Sequence, residues 1–191
     1  FQEFNLNDDL SSVSIQCIEQ DSMGFMWVGT SNGLFRYDGF ELRPYLKDDA
    51  NDFGIDESHV YSLFNDTYGS LWISLNSHLC RYDIGQDSIE IIASQSKGNG
   101  LDNPFVSVFH EGPDSLLYVA SGSSVYYFDR KRTGMFQKVA SLKGAEITAL
   151  CTDHQQQLWI GTSGGERLYC LKESGQQPEP VAIDNEDFPA H

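Results

Sequence analysis

Positive charge is scarce in this sequence, and the shortage limits the partners the chain can have. Its 191 residues contain 12 Lys and Arg against 28 Asp and Glu, a formal net charge of −16. A surface of this charge repels phosphate backbones and anionic membranes, so we expect no nucleic-acid binding by this segment. The same charge disfavours anionic glycans, although the local basic run 130–132 could reverse that preference.

Long apolar runs are also missing. No stretch approaches the roughly 18 residues of a membrane span. The first residues show no charged region followed by an apolar one, as a secretion signal would. We therefore expect a mature or excised segment.

The cysteines are few and widely spaced. No pair has the C-x-x-C spacing of a zinc or redox site, and each lies in an apolar, strand-like run. Free, buried core thiols are predicted, with a disulfide as the alternative in an oxidising compartment. The four residues are Cys17, Cys80, Cys151 and Cys170.

What the sequence does contain is a four-fold repeat. Four columns of aromatic or aliphatic residues recur together at spacings of 45, 46 and 41 residues, which chance does not produce. The columns are Trp27, Trp72, Tyr118 and Trp159; Ile15, Val60, Val106 and Ile147 twelve residues earlier; Ile18, Leu63, Phe109 and Leu150 nine residues earlier; and Tyr37, Tyr82, Phe128 and Tyr169 ten residues later.

Each repeat predicts four short strands joined by tight turns, which is an antiparallel meander. The strands are apolar on both faces, and the first strand carries small residues such as Cys17, Ser62 and Ala149. This pattern predicts an all-β fold, a β-propeller built of four-stranded antiparallel blades, with a linear solenoid as the alternative. We expect one propeller segment over 1–191, with about four blades at 13–46, 58–93, 104–140 and 145–184.

Residues with the spacing of a catalytic or metal site are lacking. The five histidines show no H-x-H or H-E-x-x-H spacing, and the Asp-x-x-Gly turns at Asp21 and Asp66 lack the further carboxylates of a calcium loop. No nucleophile or phosphate-binding motif is present. We therefore predict no catalytic residues, no metal and no cofactor, although a pair of carboxylates brought together by the fold cannot be judged from sequence.

Ligand binding is expected on the loops. The turns between second and third strands and the long connections 46–59 and 94–104 should share one face, and binding residues concentrate on such loops. Aromatic rings and planar polar side chains on these loops could contact a ligand, although packing in the core is the common alternative for aromatics in this fold. The candidate ligand-binding residues are Asn32, Tyr68, Asn76, His78, Phe105 and Ser123.

Residues 20–39, QDSMGFMWVGTSNGLFRYDG, resemble a known repeat. They are similar to the two-component regulator propeller family, whose hallmark is D-x-x-G-x-x-W-x-G-T-x-x-G-L-x-R-Y-D. The fourth repeat keeps LWIGTSGG, whereas the second has Ser74 and Leu75 in place of Gly-Thr and the third has Tyr118 in place of Trp. The resemblance covers about residues 4–171.

The resemblance implies the periplasmic sensor region of a Bacteroides-type hybrid two-component histidine kinase and response regulator. Such a region would sense oligosaccharides released from glycans and regulate polysaccharide-utilisation genes. The kinase, and the helix that tethers it to the inner membrane, would lie in parts that these 191 residues do not contain. The alternatives are a propeller polysaccharide lyase or glycosidase and a dimerisation scaffold that binds no ligand.

The number of repeats raises a question of assembly. Propellers of this family carry about seven blades, and an open arc of four would expose apolar sheet faces that monomers rarely tolerate. We therefore expect a partial propeller or fragment that forms a homodimer or associates with further blades; a small closed ring and a truncated product are the alternatives. Residues 1–6 could supply a closing strand.

Overall fold

The computed structural model describes residues 14–46, 59–113, 115–163, 167–172 and 178–181. These residues form four antiparallel sheets of four strands each, which confirms the all-β prediction. Within these ranges there is no helix, and hence none long and apolar enough to cross a bilayer. The expected closing strand at 1–6 lies outside the described residues.

The first compact unit, Phe1–Val106, contains sheets 1 and 2. In each sheet the strands are neighbours in chain order, as a meander requires. Sheet 1 has β1 (Ile15–Gln20), β2 (Met26–Thr30), β3 (Gly33–Tyr37) and β4 (Leu42–Leu46); sheet 2 has β5 (Val60–Asn65), β6 (Leu71–Leu75), β7 (His78–Asp83) and β8 (Ser88–Ser94).

The second compact unit, Ser107–His191, contains sheets 3 and 4 with the same strand order. Its last strand is only two residues long. Sheet 3 has β9 (Val108–Glu111), β10 (Leu117–Ser121), β11 (Ser124–Asp129) and β12 (Met135–Ser141); sheet 4 has β13 (Glu146–Thr152), β14 (Leu158–Ser163), β15 (Leu168–Leu171) and β16 (Glu179–Pro180).

In three repeats, a turn aspartate accepts a hydrogen bond from a tryptophan indole and so stabilises the first hairpin. We call this aspartate–tryptophan pair the lock. In sheet 2, Asp66 Oδ1 accepts the backbone N–H groups of Tyr68 (3.0 Å) and Ser70 (2.9 Å), which closes the β5–β6 turn. Its Oδ2 accepts the indole N–H of Trp72 at 2.8 Å. Both partners are buried, so this carboxylate satisfies polar groups that would otherwise be costly. The conserved spacing is therefore structural, and it confirms turn chemistry at these aspartates.

The same lock recurs in sheets 1 and 4. Asp21 Oδ2 accepts the Trp27 indole N–H at 2.7 Å, and Asp153 Oδ2 accepts that of Trp159 at 2.9 Å. Trp27 is fully buried, which confirms its role as a packing residue. The third repeat has neither member, because Gly112 occupies the aspartate position and Tyr118 the tryptophan position.

Small residues allow sheets 1 and 2 to approach closely. A Cβ added at Gly29 would lie 2.5 Å from Cys17 Sγ and 2.7 Å from Val60 Cγ1. Cys17 shares sheet 1 with Gly29, whereas Val60 belongs to sheet 2. The glycine of the hallmark W-x-G-T is thus explained by the space available between sheets.

A single arginine, Arg36, and the aromatic rings around it fill the space between sheets 1 and 2 at their other end, and we call this group the arginine cluster. The Arg36 guanidinium lies 4.6 Å from the ring centres of both Phe25 and Tyr45, and its Nη1 donates to the Tyr82 hydroxyl at 3.1 Å. Asp87 Oδ1 accepts the hydroxyls of Tyr82 (2.6 Å) and Tyr45 (2.8 Å). These hydrogen bonds hold the pKa of Asp87 below its usual value, so it stays ionised and anchors both rings.

The cysteines are all free thiols, but they differ in exposure. Cys80 and Cys170 are buried, and burial raises the pKa of the half-buried Cys17 thiol to about 11. The prediction of a buried thiol is wrong for Cys151, which is exposed. Cys151 lies on the edge strand β13, next to the buried Leu150, and its side chain is on the exposed side of that strand.

We expect Asp66→Ala to destabilise the fold by about 2–4 kcal/mol, because it leaves the buried Trp72 indole N–H without its acceptor and removes the turn cap. The measurement is the free energy of unfolding from urea titration. Asp83→Ala is the matched control: Asp83 Oδ1 caps the exposed turn after β7 through Gly85 and Gln86, without an indole partner. Equal losses in the two variants would contradict the role of the indole bond.

Acid should weaken the lock in sheet 4. The Trp159 hydrogen bond, followed by the Gln157 backbone bond, holds the pKa of Asp153 below its ordinary value of 3.8. A carboxyl with a lowered folded pKa stabilises the protein above its unfolded pKa, and that contribution disappears as the pH falls through the folded value. The stability difference between wild type and Asp153→Asn should therefore shrink on acidification; a constant difference in urea midpoint would refute this.

Candidate functional site

Three predicted binding residues lie in turns at one end of sheets 1 and 2. Asn32 occupies the turn between β2 and β3 and is exposed, and its N–H donates to Thr30 Oγ1 at 3.1 Å. Asn76 and His78 occupy the corresponding turn and strand start between β6 and β7. Gly29, near the end of β2, lies against Val60, the first residue of β5. These ends of the two sheets therefore lie next to each other.

Two of the other predicted residues are elsewhere. Ser123 lies in the β10–β11 turn of the second compact unit. Tyr68 lies in the β5–β6 turn, which is the opposite end of sheet 2 from Asn76, because strand direction alternates along the meander. Its placement with the other residues on one loop face is therefore wrong, although its ring is exposed.

Phe105, the sixth predicted residue, belongs to an aromatic cluster of His59, Tyr61 and Phe105. The His59 and Tyr61 rings are stacked, with centroids 4.1 Å apart and an interplanar angle of 9°. Phe105 meets Tyr61 edge to face at 5.0 Å. Tyr61 remains 39% exposed, so the cluster presents ring surface to solvent at the β5 end that the loops share.

A β-bulge directs Tyr61. The pairing of β5 with β6 runs from Val60–Leu75 to Ser62–Ser74 and skips Tyr61, so the side chain is released from the regular alternation. The sequence analysis missed both Tyr61 and His59 as site residues. One signal was available: the other repeats have Gln16, Ser107 and Thr148 at this position, and only the second repeat has an aromatic ring.

Backbone hydrogen bonds hold Phe105 in place. The next residue, Val106, donates its N–H to the buried Ser74 Oγ at 3.0 Å, and its carbonyl accepts the Ser62 hydroxyl at 3.1 Å. The Phe105 N–H donates to Asn103 Oδ1 at 2.9 Å. Ser74 stands where the hallmark has glycine, so a departure from the repeat fixes the segment that carries the ring.

The arrangement is suited to binding. Flat ring faces beside polar turn residues provide apolar contact and hydrogen bonding together, as ligand sites commonly do. Among the residues that the structure describes, no three His, Cys, Asp or Glu side chains gather where a metal ion could bind.

Solved structures with the same architecture define the class of fold. The extracellular domain of BT3049, a hybrid two component system protein of B. thetaiotaomicron, superposes with a TM-score of 0.66 and 16% identity over 82% of this chain and 21% of that chain. Virginiamycin B lyase from Staphylococcus aureus gives 0.63 and 14% over 90% of this chain and 57% of its own. At such identities the likeness establishes fold alone, and the four sheets are β-propeller blades.

Comparison of the sequence with family models identifies the type of repeat. Residues 9–32 and 141–164 match the model of the two component regulator propeller, and they fall in the first and fourth repeats, which keep the hallmark best. Two segments of the chain therefore match the repeat of this family, which confirms the resemblance. Histidine kinase P4 of Formosa agariphila is 44% identical over 45 residues, 24% of this chain and 3% of that protein. The chain thus spans a small fraction of the kinase and about a fifth of the BT3049 domain.

Proposed function

We propose that this chain is a ligand-sensing propeller segment from the extracytoplasmic, periplasmic part of a hybrid two-component receptor, and that it binds a glycan-derived oligosaccharide. The regulator propeller repeats and the similarity to an extracellular receptor domain support the receptor assignment. Kinase activity, the membrane tether and control of polysaccharide-utilisation genes would belong to the rest of the receptor.

The exposed aromatic cluster is the observation that carries the binding proposal. The stacked His59 and Tyr61 rings offer a flat face to the apolar side of a sugar ring, and the turn residues Asn76 and His78 lie at the same end of sheet 2. His59 and Asn76 lie outside the strands, in a connection and a turn, where they can be varied without disturbing the strands beneath. Binding would bias the packing of this segment against its neighbours and so carry a signal.

Association is part of the same proposal. A homodimer or contact with further blades would cover apolar sheet surface, and light scattering tests the dimer directly. A constant monomer mass at every concentration would remove it, and sugar binding would then be a property of the single chain.

A thermal-shift screen against neutral oligosaccharides tests the function. We expect at least one to raise the Tm, and Tyr61→Gln, which introduces the residue of the first repeat, to weaken its binding about tenfold through loss of ring contact. Tyr68→Ala is the matched control, since it removes an exposed ring at the opposite end of the same sheet and should leave binding unchanged.

Other outcomes distinguish the alternatives. Turnover of an oligosaccharide would show a lyase or glycosidase instead of a sensor. A folded protein that no saccharide stabilises would indicate a scaffold. Equal weakening by Tyr61→Gln and Tyr68→Ala would place the ligand elsewhere.

A further inference from the structure

A cleft of about 380 Å³ lies between sheets 3 and 4 of the second compact unit. Its walls are Leu116, Val139 and Leu158 together with the rings of Tyr118 and Tyr127. Protein interiors rarely leave voids larger than a water molecule, and ligand sites begin at about 300 Å³. The volume of this cleft is therefore in the range of small-molecule sites, and the case for a ligand depends on the residues that line it.

The first unit shows why the cleft is open. Trp27 pairs with Arg36 across β2 and β3, and Tyr118 pairs with Tyr127 at the same register of sheet 3. Arg36 fills the corresponding space by covering the Trp27 ring as well as those of Phe25 and Tyr45. In the third repeat Tyr118 takes the place of this tryptophan and Tyr127 that of the arginine, so two tyrosine rings line the space that the Trp27–Arg36 pair fills in the first unit.

A second difference widens the cleft. Tyr45 and Val139 are each the residue skipped in the pairing of the third and fourth strands, so they occupy the same bulge. Valine is much smaller than tyrosine, and it lacks the hydroxyl with which Tyr45 reaches Asp87. The third repeat also lacks the aspartate and the tryptophan of the lock. The cleft therefore lies beside the repeat that has neither the lock nor the counterpart of the arginine cluster.

Cations surround the opening of this cleft. Lys131 and Arg132 lie in the β11–β12 turn, and Lys172 follows β15. Lys172 pairs with Glu179 at 2.7 Å, whereas within the described ranges the Lys131 and Arg132 side chains form no ion pair. Asp129 Oδ1 accepts the Arg132 backbone N–H at 3.1 Å, which holds the turn. Asp129 also lines the cleft, but the cations Lys131, Arg132 and Lys172 outnumber this carboxylate there. On a chain of net charge −16, this local excess of positive charge beside tyrosine rings favours a negative group.

We propose that this cleft binds a saccharide that carries a carboxylate. The sugar ring packs on Tyr118 and Tyr127, Gln156 offers its amide to hydroxyl groups, and the carboxylate pairs with Lys131 and Arg132. A neutral sugar would leave the cations unused, and an inorganic anion would leave most of the rings and volume unused. The inference rests on the proposed function in taking a saccharide as ligand, but it concerns a separate site in the second unit.

Calorimetric titration of the whole chain tests the site. The probes are trisaccharides that contain galacturonic or glucuronic acid, their methyl esters, and sodium sulfate. We expect an acid form to bind, its methyl ester to bind about tenfold more weakly, and the affinity of the acid to fall with added salt. Sulfate should bind far more weakly than the acid sugar.

Substitutions in the cleft test whether the acid sugar binds there. Lys131→Gln with Arg132→Gln should weaken the acid sugar about tenfold, and Val139→Tyr, which restores the residue of the first repeat, should abolish binding by filling the space. Arg43→Gln is the matched control, since Arg43 is an exposed cation of the first unit and pairs only with Glu41 among described residues. Far-UV circular dichroism and urea unfolding establish that each variant is folded.

The following results would overturn the inference. They are equal binding of acid and ester, acid binding that the Lys131 and Arg132 changes leave intact, and sulfate binding as tight as that of the acid sugar. No binding of any acid probe overturns it as well. If a neutral oligosaccharide still binds through Tyr61, the proposed function survives, whereas failure of every saccharide removes both.

Discussion

The hydrogen bond from a tryptophan indole to a turn aspartate is the interaction on which three of the four sheets depend. One carboxylate closes the turn between the first two strands and anchors the ring that packs in the core, so a local turn and a tertiary contact share one residue. In sheets 1, 2 and 4 both aspartate oxygens are occupied in this way. The acidic turns therefore serve structure, and the buried carboxylates of Asp21 and Asp66, with both oxygens hydrogen-bonded, are poorly suited to acid–base chemistry.

Departures from the repeat create the candidate binding surfaces. In a repeated scaffold, equivalent positions of each sheet pack in the same way. A residue that differs from its equivalents therefore either adds a side-chain group to that position or removes one. Tyr61 adds a ring at a bulge, at a position where the other repeats have polar residues without a ring. Tyr118 and Val139 remove bulk from the space that Arg36 fills in the first unit. One departure produces an exposed aromatic surface, and the other produces a cleft.

The two surfaces differ in chemistry because their surroundings differ. The aromatic cluster lies at an end of sheet 2 where turns supply amide and hydroxyl groups, and its Phe105 is fixed by hydrogen bonds from the neighbouring Val106. The cleft lies beside a turn rich in Lys and Arg, on a protein that is otherwise strongly acidic.

The sequence by itself determined the strand order, the four repeats, the turn aspartates and the family, because these depend on residues close in the chain and on a spacing that recurs. Tertiary structure alone decided the exposure of Cys151, the end of sheet 2 at which Tyr68 lies, and the meeting of His59, Tyr61 and Phe105. The direction of a side chain on a bulged or edge strand is set by register and neighbours. A cleft between sheets, likewise, depends on residues far apart in sequence.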